Sequence, residues 1–338
     1  MNFEINIYNK FDNQLANIWK NFEKISFHHI FQKYDWVECW QKEIGEKKYG
    51  FSPQIFEIKE NNETVFLLPL GLRKFSNIII LECLGGIQSD YHSPLISKKI
   101  SKNKTKQKAI FDFILNNLPK HDILILSNQP KFISIAENQI FKIGKINEID
   151  SYSLQMNEID YDIFHNDILS KKIKNDTKRQ KKRLSELGIL KFHVVENQKE
   201  AEYYFNLLVE HKSKKYRETS AFNIFSDKQF YNFYNNIINV KKYGYFSQFS
   251  ILTLNKEVIA LHMGFYSDDI FYYILPSYNS NYFKYSPGRI LLDYLVEWSF
   301  KKKIRVFDFC LGAEKYKSDW TNDTMKISEF IKVRNIKG

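Results

Sequence analysis

Two parts of the chain repeat one order of apolar and polar stretches. In each part, two alternating segments flank a short polar turn, a third apolar segment follows, and a helical pattern leads to a last apolar segment. The first copy comprises Pro53–Lys59, Thr64–Arg73, Ile78–Leu84, Lys104–Leu118 and His121–Leu126. The second comprises Tyr245–Leu254, Val258–Tyr266, Ile270–Leu275, Gly288–Phe300 and Arg305–Cys310. The repeated order predicts two similar α/β domains, although the copies share no residue-level identity.

This pattern predicts an α/β (α+β) fold of two domains in tandem, each a mixed, mostly antiparallel sheet flanked by helices. The first domain covers residues 1–150, where a short strand, a helical pattern around Trp19 and another at Phe31–Trp40 precede the repeat. The second domain covers residues 151–338 and begins with a largely helical, basic segment at about 162–240.

A turn with the sequence Tyr285-Ser-Pro-Gly-Arg289 precedes the helical pattern of the second copy. Pro287 suits the first turn of a helix because its missing N–H is not needed there, and Gly288 lets a ligand approach the backbone. The N–H groups of a helix start and the guanidinium of Arg289 can hold phosphate. Ser286 to Arg289 therefore predict either a phosphate cradle for a donor or a plain helix start.

The last strand of the second copy carries one acid, Asp308, between Phe307 and Phe309. Strand alternation places its side chain on the face opposite the two rings. A carboxylate is costly to bury without a partner, so we expect Asp308 either to pair with a lysine or to accept a proton in a cleft. Glu314 and Lys317 follow in a polar loop, and in so lysine-rich a chain Lys317 by itself predicts a surface residue.

His262 lies between the apolar residues Leu261 and Met263 in the second hairpin strand. A histidine in such surroundings is more often structural than catalytic. An amine must be neutral to attack as a nucleophile, however, and an imidazole with a pKa of about 6.5 can accept its proton. His262 is therefore a secondary candidate for a proton acceptor.

A basic helix is predicted between Ser170 and Leu184, with eight Lys or Arg residues against one Asp. Its expected buried stripe consists of Leu169, Ile173, Thr177, Leu184 and Leu187. The charges then lie on the outer face. They predict either a solvated surface or a docking patch, at residues 170–184, for tRNA or an acyl carrier protein.

The composition narrows the possible function classes. A formal charge of +11 allows a polyanionic partner, but a generally basic surface explains it equally well. Cys39, Cys83 and Cys310 are far apart and odd in number, so no disulfide framework is expected. The longest apolar run, Ile78–Ile87, is broken by Glu82, and the first residues do not form a secretory signal. We therefore expect a soluble cytoplasmic protein without an integral membrane segment.

Several common site types have no sequence signature in this chain. The histidines form no pair at ligand spacing near a third ligand, so no metal site is expected. A P-loop, a dinucleotide fingerprint and a nucleophile elbow are likewise not found. No tightly bound cofactor is expected.

Four stretches together resemble acyltransferases of the GNAT superfamily related to the CelD and FemAB-like proteins, which carry two GNAT-like domains in tandem. They are Gly85-Gly86 with Ser89-Asp90-Tyr91, the basic helix from Ser170 to Gly188, the turn Tyr285-Ser286-Pro287-Gly288, and Phe307-Asp308-Phe309 with Gly312, Glu314, Tyr316, Lys317 and Trp320. The resemblance spans about Phe31 to Trp320. Each motif alone is weak, but four in the correct order are hard to obtain by chance.

The resemblance implies an N-acyltransferase that moves an acyl group from a thioester to a primary amine by direct attack. The amine would belong to a small molecule such as an amino sugar or an amino acid, as in cell-envelope or polysaccharide biosynthesis. The family match extends a donor-binding role to Ser286–Arg289 and an active-centre role to Lys317, with Asp308 in the same signature. Asp90 and Tyr91 fall where the family builds its acceptor cleft, and Tyr285 and Glu314 are expected to contact substrate; turn capping is the alternative for Asp90 and Tyr91.

The sequence leaves open which molecule donates the acyl group and whether the protein is an enzyme. Typical acetyl-CoA-binding members have a Gln/Arg-x-x-Gly-x-Gly/Ala loop, whereas this chain has Ser-Pro-Gly-Arg. The co-substrate is therefore acyl-CoA, an acyl carrier protein or, as in Fem-like enzymes, aminoacyl-tRNA. The basic helix favours tRNA, and the lack of a long coiled-coil arm disfavours it. A third hypothesis is a non-catalytic double-GNAT module that binds nucleic acid or protein.

Overall fold

The computed structural model describes residues 2–157, 159–195, 197–220, 222–238, 246–312 and 314–334. The chain forms two compact units, one comprising Met1–Asp150 with Met325–Gly338 and the other comprising Ser151–Thr324. Tyr245, the predicted first residue of a strand, lies outside the described residues. None of the described helices combines the length and the apolar character needed to span a membrane.

Both units contain α-helices and β-strands. The α-helices are α1 (Asn13–Ile25), α2 (Tyr34–Trp40), α3 (Glu46–Tyr49), α4 (Lys104–Asn116), α5 (Gln139–Ile143), α6 (Tyr161–Ile163), α7 (Lys171–Ser185), α8 (Gln198–Glu218), α9 (Lys228–Ile237) and α10 (Pro287–Lys301). The strands are β1 (Glu4–Tyr8), β2 (Ser26–Phe27), β3 (Ser52–Glu60), β4 (Glu63–Phe75), β5 (Ile78–Cys83), β6 (Leu95–Ser97), β7 (Ile123–Pro130), β8 (Phe132–Ile133), β9 (Ala136–Glu137), β10 (Lys145–Ile146), β11 (Ser151–Gln155), β12 (Leu190–Val194), β13 (Phe246–Leu254), β14 (Glu257–Ser267), β15 (Ile270–Tyr278), β16 (Val306–Leu311), β17 (Asp323–Met325) and β18 (Ile327–Val333).

The first unit is built on a sheet with the strand order β1-β3-β4-β5-β7-β18-β10. Neighbours pair antiparallel, except that β5 and β7 run parallel. Apolar residues of the sheet, such as Phe56 and Leu68, share one buried cluster with Ile110 and Ile114 of α4. The helical spacing of these α4 residues puts them on the side that packs against the sheet.

The second unit is built on a sheet with the strand order β12-β13-β14-β15-β16-β11-β17. Strands β15 and β16 run parallel, whereas β12 to β15 and the pair β16–β11 are antiparallel. Leu292, Leu295 and Val296 of α10 share a buried cluster with Phe271 and Phe307 of the sheet. Helix α10 therefore covers the junction of the two parallel strands.

The predicted fold class is confirmed, because both units have mixed, mostly antiparallel sheets flanked by helices. The repeated order of the sequence occurs as β3-β4-β5-α4-β7 and as β13-β14-β15-α10-β16. In both copies the helix connects two parallel strands, which need such a crossover because a tight turn cannot join them.

The last strand differs from the predicted division of the chain. The prediction kept residues 151–338 together, but β18 pairs with β7 and lies in the first unit. Strands that follow one another in sequence are usually neighbours, and β18 departs from this rule. The pairing of β18 with β7 depends on contacts between residues far apart in the chain. The local pattern of apolar and polar residues carries no information about such contacts.

The helix predicted at Phe31–Trp40 is interrupted near its start. Ile30–Gln32 form a short 3₁₀ turn, the extended backbone of Lys33 follows, and α2 begins at Tyr34. Helix α2 then continues through a π-helical turn at Gln41–Gly45 into α3. A π turn adds one residue to a helical turn and so changes which side chains are neighbours on its surface.

Candidate functional site

The parallel strands of the second unit pair over part of their length. The described pairing joins Ile270 to Val306, Phe271 to Phe307 and Tyr272 to Asp308. Strand β15 continues to Tyr278, where its described partner is β14. Beyond Tyr272 the two strands therefore separate and leave a wedge whose β15 edge is open to a ligand.

A cleft of about 380 Å³ occupies this wedge. Its volume lies within the range of small-molecule sites. The walls combine the end of β15, the start of α10, one residue each of α7 and α8, and the segment after β16. The lining residues are Ile173, Lys215, Tyr273, Pro276, Ser277, Tyr278, Phe283, Ser286, Pro287, Gly288, Arg289, Leu291, Leu292, Tyr316, Asp319 and Trp320. The lining is mainly apolar and aromatic, and it also contains two cations, Lys215 and Arg289, and one carboxylate, Asp319.

The start of α10 presents fewer free N–H groups than the sequence predicts. Ser286 adopts a left-handed conformation with φ 51°, and its carbonyl accepts hydrogen bonds from the N–H groups of Arg289 (3.0 Å) and Ile290 (3.2 Å). Pro287 has no N–H. Among the described residues, the N–H of Gly288 has no partner, so it remains for a ligand.

Gly288 also leaves room in the cleft. A Cβ atom built on it would have Tyr278 Cδ1 as its neighbour, at 3.6 Å, which is an ordinary contact. The glycine is therefore not required by the packing of the protein itself. Its space belongs to the cleft, as expected for a residue that lets a ligand approach the backbone.

Two cations line the cleft, and one of them is partly neutralised. Arg289 Nη1 lies 3.6 Å from Asp176 of α7, and Asp176 also accepts a hydrogen bond from Arg179 at 2.8 Å. Lys215 of α8 lies over the ring of Tyr278, 5.0 Å from its centroid. Both cations and the Gly288 N–H line the cleft together with the carboxylate of Asp319, and each of the three donors can contact an anion.

Asp308 has a structural contact that the sequence does not reveal. Its Oδ1 accepts a hydrogen bond of 2.7 Å from the N–H of Cys310, two residues along the same strand. Cys310 has a left-handed backbone with φ 59°. The carboxylate thereby stabilises the bend at the end of β16, in the manner of an Asx turn.

Lys317 is buried, contrary to the surface position that a lysine in this chain would suggest. Its Nζ donates to the carbonyl of Leu311 at 2.5 Å and lies 3.1 Å from Glu314, whose side chain is largely exposed. Gly312 lies directly beneath both charged groups, so that a Cβ on it would overlap them. Lys317 therefore stabilises the loop that contains Tyr316 and Trp320, two residues that line the cleft.

His262 is fully buried and stacks on Tyr273, with the ring centroids 4.1 Å apart. Neither ring nitrogen has a hydrogen-bond partner among the described residues. Burial, together with the charge of Lys212, lowers the pKa of His262 well below its usual value, so the imidazole is neutral. His262 thus packs against Tyr273, which lines the cleft, but His262 itself is not among the lining residues.

Sequence reasoning missed Lys212 and Lys215 of α8, which lie in the lysine-rich run His211-Lys-Ser-Lys-Lys215. Burial and the charge of Lys215 lower the pKa of Lys212 to about 8, against the opposing effect of Glu314. No feature of the sequence separates these two lysines from their many neighbours. The sequence indicates only that Lys212 and Lys215 lie on the same face of the helix, because they are three residues apart.

In the first unit, the parallel strands β5 and β7 also pair over only part of their length, and the loop after β5 fills the space between them. Strands β5 and β7 pair from Ile80–Ile123 to Glu82–Ile125, and β7 then continues to Pro130. The N–H of His92 donates to the carbonyl of Asn128 at 3.0 Å, beside this second half of β7. The loop that follows β5 therefore occupies the place that is open in the second unit.

His92 holds this loop through both ring nitrogens. Nε2 lies 3.1 Å from the carbonyl of Gly86, and Nδ1 lies 3.1 Å from the hydroxyl of Ser127. A carbonyl only accepts, so Nε2 carries the proton and Nδ1 accepts from Ser127. Burial lowers the pKa of His92 to about 4, which keeps this arrangement neutral.

The remaining predicted residues lie apart from the cleft lining. Tyr91 is fully buried in the first unit against Phe31 and His29, so its ring is part of the core. Asp90, beside it, is partly exposed. Tyr285 lies just before α10, where the guanidinium of Arg183 covers its ring at 5.0 Å.

Helix α7 uses part of its charge within the unit. Lys181 forms an ion pair of 2.5 Å with the buried Asp293 of α10. The predicted buried stripe is confirmed at Leu169, Thr177 and Leu184 and wrong at Leu187, which is half exposed. The reason is that α7 ends at Ser185, so Leu187 no longer follows the helical spacing.

Comparison with known proteins agrees with this architecture. Residues 171–318 match the family described as acetyltransferase (GNAT) domain, a range that includes α7, most of the cleft lining and Lys317. Curated protein sequences yielded no match. The matched region supports a transferase activity for the second unit.

Solved structures extend the likeness over the whole chain. FemX is similar with a TM-score of 0.63 and 10% identity, covering 99% of this chain and 98% of FemX. A conserved Bacteroides thetaiotaomicron protein of unknown function gives 0.55 and 9%, covering 97% and 99%. A tandem GNAT protein from the clavulanic acid biosynthesis pathway gives 0.51 and 6%, covering 100% of both chains. At these identities the likeness establishes the fold, which is the tandem GNAT-type arrangement predicted from the sequence.

Proposed function

We propose that the protein is an N-acyltransferase that binds a thioester donor in the cleft of the second unit. The observation that carries this proposal is the wedge between β15 and β16, which opens beside the start of α10. An extended thioester can hydrogen-bond to the unpaired edge of β15, as an added strand does. The acceptor is a primary amine of a small molecule, and within the superfamily we place the chain with the CelD and FemAB-like proteins.

The donor's anionic groups bind to the cationic residues that line the cleft. Arg289, Lys215 and the N–H of Gly288 face the same cavity and can share the oxygens of a phosphate. The remaining lining, with Ile173, Leu291 and several tyrosines, suits the apolar part of the donor. Acyl-CoA combines these two features in a small molecule, and the phosphopantetheine arm of an acyl carrier protein combines them as well.

Direct attack transfers the acyl group without an acyl-enzyme. The amine nitrogen bonds to the thioester carbonyl carbon, the C–S bond breaks, and the thiol leaves with a proton. The amine first loses a proton. We propose Lys212 as the acceptor because its charge acts on the buried His262, it lies one helical turn from the cleft residue Lys215, and burial lowers its pKa to about 8. His262 has too low a pKa to be the main acceptor. Asp308 and Lys317 shape the strand end and the loop that support the cleft.

Replacing Arg289 by alanine tests the donor site. We expect acetyl-CoA or a longer acyl-CoA to raise the melting temperature of the wild-type protein, because a ligand at about 100 times its Kd adds about 2.7 kcal/mol. In Arg289→Ala the affinity should fall about tenfold or more, because a charge-assisted phosphate contact is lost. Thermal unfolding against ligand concentration measures both.

Arg179→Ala is the matched control. Both arginines contact Asp176, but Arg179 does not line the cleft, so its loss should leave donor affinity unchanged. Equal weakening in the two variants would mean that Asp176 and α7 are disturbed, not a phosphate contact. A shift with charged tRNA and none with any thioester would favour the Fem-like alternative. No shift with any of these ligands would favour the non-catalytic binding module.

Replacing Lys212 by methionine is expected to stabilise the protein while slowing transfer. The lowered pKa means that the folded state disfavours the ammonium, so stability is reduced at every pH below about 8 and recovers as pH rises towards 10.5. After allowance for partial exposure, Lys212→Met should raise the free energy of unfolding at pH 7 by about 1–2 kcal/mol. Urea unfolding at pH 7 and at higher pH measures this gain and its disappearance.

Lys212→Arg provides the control, since arginine keeps its charge at any accessible pH. This variant should be no more stable than the wild type, and its stability deficit should persist at high pH. If Lys212→Met were destabilising at pH 7 although the arginine variant was neutral, the lysine would be a paired structural cation.

The basic helix favours aminoacyl transfer from tRNA as a second candidate function. The exposed cations on α7 include Lys171, Lys172, Lys178 and Lys182, which have no carboxylate within ion-pair distance among the described residues. Such a row can contact a phosphate backbone, and binding would then weaken steeply with salt. Binding of charged tRNA at low and high salt distinguishes this function from acyl-CoA transfer.

A further inference from the structure

Large apolar side chains are exposed at one end of the second unit. Leu187 and Ile189 lie in the connection between α7 and β12, and 50% and 67% of their surfaces are exposed. Phe283, in the 3₁₀ turn that precedes α10, is 70% exposed. Single exposed apolar residues are common on soluble proteins, but a group of them framed by polar residues marks an interaction surface.

The turn of the β13–β14 hairpin joins the two exposed segments. Asn255 Oδ1 accepts from the N–H of Ile189 at 2.8 Å, and Asn255 Nδ2 donates to the carbonyl of Leu187 at 3.2 Å. Glu257, two residues further on, accepts from the hydroxyl of Tyr282 at 2.6 Å. The three exposed apolar side chains therefore belong to one surface, formed by residues 182–191, 255–257 and 280–285.

Cations outnumber carboxylates on this surface. Its exposed cations are Lys182, Arg183, Lys191, Lys256 and Lys284. Its exposed carboxylates are Glu186 and Glu257. The adjoining helix α8 adds one charge of each sign, because Glu218 accepts from Ser280 at 3.0 Å and Lys214 donates to Asn281 at 3.2 Å. The surface therefore keeps an excess of positive charge around its apolar side chains.

Exposed apolar side chains among cations suit the surface of an anionic bilayer. Lysine and arginine are attracted to the negative headgroups. Leucine, isoleucine and phenylalanine can then enter the boundary between headgroups and acyl chains, which requires no matching pocket in a partner. The phosphate backbone of an RNA would use the cations, but it would leave the aliphatic side chains in water.

We propose that residues 182–191, 255–257 and 280–285 dock the protein on an anionic lipid surface. The cations contact headgroup phosphates, and Leu187, Ile189 and Phe283 enter the boundary of the acyl region. Phe283 also lines the cleft, so the docked surface borders the cleft. The inference rests on exposure and charge and does not require acyl transfer.

Co-sedimentation of the full chain with lipid vesicles tests the proposal. We expect binding to vesicles that contain phosphatidylcholine and anionic phosphatidylglycerol, and at least tenfold weaker binding to vesicles of phosphatidylcholine alone. Binding to the anionic vesicles should weaken as the salt concentration rises, because salt screens the attraction between the cations and the headgroups.

Two double variants separate the apolar and the charged contributions. Leu187→Ser/Ile189→Ser should weaken binding to the anionic vesicles about tenfold or more, because two side chains no longer enter the acyl boundary. Lys182→Ala/Lys256→Ala should also weaken it about tenfold or more, since each cation near an anionic membrane contributes about fivefold. Both pairs are exposed and Ile189 and Lys256 do not line the cleft, so the melting temperature should stay close to that of the wild type.

The first unit offers a matched control for each double variant. Ile87→Ser/Ile135→Ser removes two similarly exposed isoleucines, and Lys102→Ala/Lys120→Ala removes two exposed lysines. Both controls should bind the anionic vesicles like the wild type.

The proposal is overturned by a lack of binding to the anionic vesicles at low salt, by equal binding to the two vesicle types, or by equal losses in the surface and control variants. Vesicle binding that survives Leu187→Ser/Ile189→Ser would contradict it as well. Binding of tRNA without binding of vesicles would assign the surface to nucleic acid instead. Stabilisation by acyl-CoA is measured separately, so a failure of the proposed transferase activity is distinguishable from a failure of docking.

Discussion

Gly288→Leu is expected to abolish most donor binding and yet leave the protein at least as stable. The backbone of Gly288 is not in the left-handed region, and its Cβ position is free of close contacts, so leucine fits without strain. Leucine favours helix over glycine by up to about 1 kcal/mol. Its side chain, however, enters the cleft between α10 and Tyr278. Overpacking of about 1–3 kcal/mol then lowers acyl-CoA affinity by up to about a hundredfold.

The two effects have opposite signs, which makes the result easy to interpret. Thermal unfolding of Gly288→Leu without ligand should show an unchanged or raised melting temperature, whereas the shift caused by acyl-CoA should be lost. Lys301→Leu adds the same side chain at the exposed end of the same helix and should keep the full shift. If Gly288→Leu bound acyl-CoA normally, the donor would not pass the start of α10.

His92→Ala is expected to destabilise the protein by about 2–4 kcal/mol without changing donor binding. The substitution removes two hydrogen bonds, to Gly86 and Ser127, and leaves a cavity in the loop that fills the wedge of the first unit. Urea unfolding measures the loss. His193→Ala, at an exposed histidine of the second unit, should cost much less.

The same residue predicts a pH dependence. The unfolded chain protonates His92 near pH 6.5, but the folded chain resists protonation until about pH 4. The unfolded state therefore binds more protons in this interval, and the stability contributed by His92 falls as pH decreases from 6.5 to 4. His92→Ala should lack this part of the acid sensitivity. An unchanged pH profile in the variant would place the acid sensitivity in other groups.

The sequence predicted most of the fold because its strands and helices have strong periodicity. The hairpin around Asn255–Glu257, the helix starting at Pro287 and the strand carrying Asp308 all occur within a few residues of their predicted positions. The repeat predicted the two units because each unit forms one sheet from the same order of strands and one covering helix. The repeat did not predict the position of strand β18, because its pairing with β7 joins residues about two hundred positions apart.

The site was less predictable because its chemistry depends on contacts that one segment does not contain. The Ser286 carbonyl accepts from two N–H groups that the sequence suggested for phosphate. Asp308 bonds to its own strand and Tyr91 lies in the core, although both have residue types common in active sites. Lys212 has its lowered pKa because of burial and Lys215, and burial is a tertiary property.

The placement of β18 has a consequence for how the protein is made. A ribosome releases the strands of the first unit early, but the strand that covers the outer edge of β7 emerges after the entire second unit. Until then β7 is an open edge, able to pair with strands of neighbouring chains. Expression of residues 1–150 alone would leave that edge permanently bare. Fusing residues 325–334 to such a fragment through a flexible linker is the more promising route to a soluble half.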